Sequence, residues 1–152
     1  MVKHKKQGRS QTPSIDKKAL KTGFSRNPQR FQWSLEYCYW EHLGWQQVSS
    51  LQYFAERIIN KLKNLETQTW QEVQDASGGK SPGHGNNSHF INGSLLPKDE
   101  KEFFIKRGYM EAYGEVFSLR LSGLERLIGV ADRAVFRIIW YDPGHEIFPS
   151  ER

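Results

Sequence analysis

The sequence orders its elements as β–α–α–α–β–β–β, which predicts an α+β fold: an antiparallel sheet packed on helices in two layers. Three observations lead there. An aromatic run near residue 31 alternates with a period of two, the stretch over 51–65 repeats its apolar residues every three or four positions, and three short apolar runs follow Glu115 with connectors too short for crossovers. The single domain is expected over 31–152, preceded by a basic, disordered arm over 1–30.

Taken in order, FQWSLEYCYW (31–40) puts Phe31, Trp33, Leu35, Tyr37 and Tyr39 on one face and Gln32, Ser34, Glu36 and Cys38 on the other, a half-buried strand. Ser49 or Ser50 caps a helix whose stripe is Leu51, Phe54, Ala55, Ile58, Ile59, Leu62 and Leu65. TWQE (69–72) has capping-box spacing, with Thr69 as N-cap and Glu72 three residues on. SGGKSPGHGNNSH (77–89) is a long glycine-rich loop of a kind that is often functional. In LPKDEKEFFIKRG (96–108), Pro97 opens a third helix, acids follow in its first turn and Gly108 stops it. EVFSLRL, RLIGVA and AVFRIIWY, joined by SGLE and DR, form an antiparallel meander.

Composition narrows the class. The single cysteine, Cys38, excludes an intramolecular disulfide and a Cys-rich zinc site, and favours a reducing compartment. No apolar run nears the ~20 residues that span a bilayer, and the N-terminus lacks a signal-peptide core, so a cytoplasmic protein without a membrane partner is expected. Charge is uneven. Residues 1–30 carry nine basic residues against Asp16 alone, +8, whereas the other thirteen basic and sixteen acidic residues give −3. Lys3, Lys5, Lys6, Arg9, Lys17, Lys18 and Lys21 therefore form a polyanion-binding arm in which too little apolar surface exists to offset ordering entropy.

Several motifs bear on chemistry. GGKSPG lacks the spacing and the preceding strand of a phosphate loop and reads as a linker. His42, His84, His89 and His145 lack preorganised ligand spacing, so no metal and no cofactor are assigned. The C-terminal strands carry Arg120, Arg126, Arg133 and Arg137, which on an open sheet face would grip phosphates, or else pair with acids such as Glu115 and Glu125. Asp142-Pro143-Gly144 has turn chemistry, with Gly144 free to take positive φ. His145 follows that turn and is of the right type for acid–base cleavage of RNA, with Arg120 and Arg126 on the phosphate, His89 as second proton carrier and Arg137 as a further nucleic-acid contact. Its plainer role is a hydrogen bond to the turn backbone.

FSLRLSG (117–123), RLIGV (126–130) and IIWYDPGHEIFPS (138–150), with WSLEY (33–37) and LETQTWQEV (65–73), resemble a group of small bacterial and phage-borne proteins of unassigned function. The arrangement of helices before RLIGV and FRIIWYD is similar to that of RelE/ParE-type toxins, small α+β proteins of which several cleave mRNA without metal. That resemblance implies a metal-independent endoribonuclease, RNA rather than DNA as its nucleic acid, and an acidic antitoxin-like partner protein. The added first strand, the glycine-rich loop and the near-neutral body depart from the toxin plan. The alternative function is a non-catalytic nucleic-acid-binding or protein-interaction module, with Trp40 and Trp45 as its contact patch.

Overall fold

The computed structural model describes residues 24–76 and 88–149. The arm residues Lys3, Lys5, Lys6, Arg9, Lys17, Lys18 and Lys21, and the glycine-rich loop over 77–87, lie outside the described residues.

Five strands are present: β1 (Gln32–Ser34), β2 (His89–Asn92), β3 (Glu115–Ser122), β4 (Glu125–Asp132) and β5 (Val135–Asp142). They form one sheet in the order β1-β5-β4-β3-β2, and the fold is α+β as expected. β3, β4 and β5 make the antiparallel meander within a residue of the limits read from the sequence. A strand flanks the meander at each edge, the expected β1 on one side and β2, which the sequence does not signal, on the other. His89–Asn92 pairs antiparallel to β3, and β1 pairs parallel to β5, so the sheet is mixed. β1 is much shorter than the alternation over 31–40 suggests. After Ser34 the chain turns, with Cys38 N–H donating to Leu35 O at 3.1 Å. Phe31 and Tyr37, expected on one strand face, are buried in separate cores on opposite sides of the sheet.

The helices are α1 (Leu43–Gln46), a rod α2, α3 (Trp70–Asp75), α4 (Lys98–Lys106) and α5 (Tyr109–Ala112). α2 is continuous but not uniform: Leu51–Phe54 and Asn60–Leu65 are α-helical, and Ala55–Ile59 between them is a π-helical turn. Ser50 and Thr69 cap α2 and α3 by accepting the N–H of Tyr53 and Glu72 at 3.0 and 3.2 Å. Gly108, at φ 78°, terminates α4 in the left-handed conformation that a Cβ would disfavour.

Both faces of the sheet are covered, which adds a third layer to the two expected. On one face Phe117, Leu127, Phe136 and Ile138 meet Ile58, Leu62, Trp70 and Val73 from α2 and α3. On the other, Val116, Ile128, Val130 and Trp140 meet Leu96, Phe104 and Tyr109 from the α4–α5 side. The cause is visible in β4, where Leu127 to Ala131 are all buried: a strand apolar without alternation needs cover on both sides. Each large side chain so buried contributes roughly 1.5–3 kcal/mol. The indole N–H groups find carbonyls, Trp70 at Ala134 O (2.7 Å) and Trp45 at Ile139 O (3.0 Å). Trp45 is thus fastened in the core at 5% exposure, with the 52% exposed Trp40 ring against it at 4.9 Å.

Two local features shape the end of β5. A bulge leaves Ile139 outside the ladder, since Ile138 pairs with Gly129 and Trp140 with Ile128. Its freed carbonyl accepts both Trp45 Nε1 and the N–H of Tyr39. Alongside, α1 lies directly on the strand backbone: a Cβ on Gly44 would stand 1.5 Å from Tyr141 O, so only glycine permits this approach.

Candidate functional site

Register brings the expected catalytic residues together at one corner of the sheet. Arg120 is the cross-strand partner of Arg126, and Arg126 that of Asp142, so the three lie in one row. His89 opposes Ser118 one row away on the same face, and the neighbouring Ser88 Oγ accepts the N–H of Arg120 at 3.0 Å. The chain then folds back over this row. Asp142 accepts the N–H groups of Glu146 and Ile147, each at 2.9 Å, which closes the turn and drops Ile147 into the core. His145 is carried at the turn's crest, where it feels the charges of Arg126, Asp142 and His89.

The turn differs from expectation in one respect. Positive φ falls on His145 (55°), not on Gly144. Asp142 requires the two N–H groups that follow to point back at it, and His145 absorbs the reversal. A non-glycine residue there is held by its surroundings at some cost, a condition often found at functional positions.

Electrostatics at the corner run one way. Burial lowers the pKa of His145, the Arg126 charge lowers it further, Asp142 opposes, and His89 adds to the depression. Arg126 is also lowered, by burial first and then by Arg120, with Asp142 opposing. These influences bias His145 toward the neutral imidazole. Arg126, 5% exposed, is anchored through one terminal nitrogen to Gly123 O (2.7 Å) and Glu125 O (3.1 Å). Arg120 is half-exposed, and no described carboxylate pairs with it.

The other expected contacts are elsewhere. The open cationic face read from Arg120, Arg126, Arg133 and Arg137 is corrected, because α4 and α5 cover most of it and only its corner remains basic. Arg137 is committed to Asp132 (3.1 Å) and Glu36, and its guanidinium lies over the Tyr37 ring, which makes it a structural cation. Arg133 sits at the β4–β5 turn with φ 55°. Among the described residues no group of three His, Cys, Asp or Glu could hold a metal ion. Burial raises the Cys38 thiol to about 12, which leaves it protonated and unreactive.

Two polar clusters were not anticipated. On the α2 face Glu125 accepts from Tyr141 Oη (2.7 Å) and Ser122 Oγ (2.9 Å) and lies 3.5 Å from Arg57, while Tyr53 Oη meets Tyr141 Oη at 2.8 Å. Burial, and hydrogen bonds with Tyr53 and Glu125, push the Tyr141 phenol upward, so it stays a donor. On the other face His42 Nε2 meets Glu100 Oε1 at 3.0 Å, and His42 Nδ1 accepts the Gly44 N–H at 3.3 Å. That pair walls a cleft of about 290 Å³ behind the Asp142 turn. Nothing local signals either cluster: Tyr53 and Tyr141 are 88 residues apart, His42 and Glu100 58.

No helix among the described residues is long and apolar enough to cross a membrane. Comparison with protein-family models, with curated proteins and with solved structures gives no match, so the corner stands on its own geometry.

Proposed function

We propose that this chain is a toxin-like RNA-binding protein of the cytoplasm that cleaves RNA without metal at the basic corner. One observation carries the reading: Arg120, Arg126, His89 and His145, distant in sequence, converge there, with His145 biased toward the neutral form and held in a strained backbone. Phosphate sits against the half-exposed Arg120, and the buried Arg126 supplies positive potential behind it. His145 takes the proton of a ribose 2′-hydroxyl, whose oxygen attacks phosphorus. His89 gives a proton to the departing 5′-oxygen, leaving a 2′,3′-cyclic phosphate and a 5′-hydroxyl. The basic arm, with Lys3, Lys5, Lys6, Arg9, Lys17, Lys18 and Lys21, adds salt-dependent grip on RNA or on an acidic antitoxin-like partner.

End-labelled single-stranded RNA, incubated in chelator with the intact chain and with His145→Ala, tests this. Cutting by the intact chain should fall by about 10²–10⁴ in a variant that remains folded by circular dichroism. Equal cutting by the folded variant removes His145 from the mechanism, and no cutting by either removes the ribonuclease.

A second reading has its own observation. Trp40, Trp45, Val48, Leu51 and Phe54 line an apolar cleft of about 430 Å³, with Leu51 83% exposed although its helical period assigns it to the core. Such a patch suits a protein-interaction module. Retained partner capture by a Leu51→Glu, Trp40→Ala variant would set that reading aside.

A further inference from the structure

We propose that the cleft behind the Asp142 turn is a nucleobase pocket that selects guanine; the proposal rests on the RNA reading above and names the specificity of that site. Its volume, about 290 Å³, suits one heterocycle rather than an extended ligand. Pro97, Pro143, Leu43 and Ile147 supply apolar walls for the faces of a flat ring. The polar groups are mostly acceptors. Glu100 and Glu146 line the cleft, whereas no Lys or Arg does, so it repels a phosphate and favours a neutral ligand rich in donors.

Glu100 is the group that reads the base. Gly44 N–H points at His42 Nδ1, which fixes the proton of the neutral ring on Nε2, facing Glu100 Oε1 at 3.0 Å. One carboxylate oxygen is thereby held and the plane of the carboxylate is set. Asp142, the third acid, is not available, since both its oxygens take backbone N–H groups. Guanine presents two adjacent donors, N1–H and the 2-amino group, which match the two oxygens of a carboxylate. Adenine and cytosine offer one amino group beside a ring acceptor, and uracil sets its single N–H between two carbonyls that a carboxylate repels.

Placement links base to phosphate. Asp142 lines the cleft and is the cross-strand partner of Arg126, so the cleft and the basic corner share the 142–147 turn as a wall. A base in the cleft leaves its sugar at that turn and its phosphate toward Arg120 and Arg126. His145, at φ 55°, belongs to that shared turn.

The test uses the intact chain. Four single-stranded RNA oligomers, identical except for one central G, A, C or U in a background without guanine, are assayed for binding and cleavage in chelator. The G oligomer should be preferred at least tenfold, and Glu100→Gln, which replaces one acceptor by a donor, should flatten that preference. Titration of the unmodified chain with guanosine and cytidine monophosphates, followed through the imidazole resonance of His42, keeps the test open should Glu100→Gln not fold; only the guanosine nucleotide should shift it. Cleavage indifferent to the central base overturns the pocket and leaves the RNA reading standing. Absence of binding to any oligomer at low salt overturns both. A His42 shift caused by a simple amine such as spermidine, and not by the guanosine nucleotide, reassigns the cleft to a cationic ligand.

Discussion

Glu125 and Asp142 are buried acids at the same end of the sheet, on opposite faces, and they are held in different ways. Glu125, 8% exposed, opens β4 and is satisfied by side chains: two hydroxyls and the edge of Arg57. Asp142, 4% exposed, ends β5 and is satisfied by the backbone of the turn that follows it. The first arrangement is closed, because donors from α2, β3 and β5 are spent on Glu125 and on one another. The second spends only main-chain groups, while Arg120 and Arg126 stand side by side in the same row with like charge. A closed network of this kind fastens elements together. An open one stores electrostatic and backbone strain that a bound phosphate would relieve.

Removing each acid should therefore have different consequences. Glu125→Ala strands the Tyr141 and Ser122 hydroxyls beside a void and should cost on the order of 3 kcal/mol in urea unfolding. RNA cleavage by the protein that remains folded should be unchanged. A loss under about 1 kcal/mol would show that the network relaxes and is not a fastening. Asp142→Ala should cost a similar amount, about 3 kcal/mol for two charge-assisted bonds, and in addition reduce cleavage by about 10²-fold because His145 loses its perch. Equal effects on cleavage in both variants would erase the contrast between the two acids.

The sequence made one side of this comparison far more visible than the other. Arg120, Arg126 and Asp142 fall in regular strands with short hairpins, where a period of two and a turn fix who opposes whom. His89 stands out only as the start of an apolar run, because four residues at a sheet edge leave too little periodicity to read as a strand. Glu125 reads as a partner for strand arginines, whereas its partners are Arg57 on a helix, Ser122 across the hairpin and Tyr141 at a distant strand end. The regular alternation of Phe31 to Tyr39 misled for a physical reason. The chain crosses the rim of the sheet there, so residues two apart in pattern enter different cores. Helices on both faces follow from the unbroken apolar stretch of β4, which leaves no polar side to turn toward solvent.

Titration sharpens the comparison at smaller amplitude. The folded pKa of His145 lies below its unfolded value, so between that folded value and about 6.5 the unfolded chain binds more protons. Stability should rise with pH through this window and be flat, as far as His145 is concerned, above it. His145→Gln should remove that part of the slope, whereas Glu125→Gln should leave it in place. Cleavage that depends on a neutral His145 should fall only as pH drops through the folded pKa, below about 6.5. Loss of cleavage already at pH 7 would mean that the imidazole is protonated there and cannot be the base.

The smallest effect is the most diagnostic. His145→Gly accepts φ 55° without a Cβ clash, so the turn should keep both bonds to Asp142 and be more stable than in His145→Ala, by up to about 1 kcal/mol. A residue kept only to bond the turn backbone would leave both variants less stable than the unmodified chain, since its deletion would free a polar group and loosen the turn. Thermal unfolding of His145→Gly beside His145→Ala separates the two cases: alanine retains the strain and loses the ring, glycine loses both. If glycine is the more stable of the pair and both are inactive, the histidine is held in the left-handed region for its imidazole. If both variants fall below the unmodified chain and cleavage survives, the turn needs the ring, and the corner is a strand ending rather than a site.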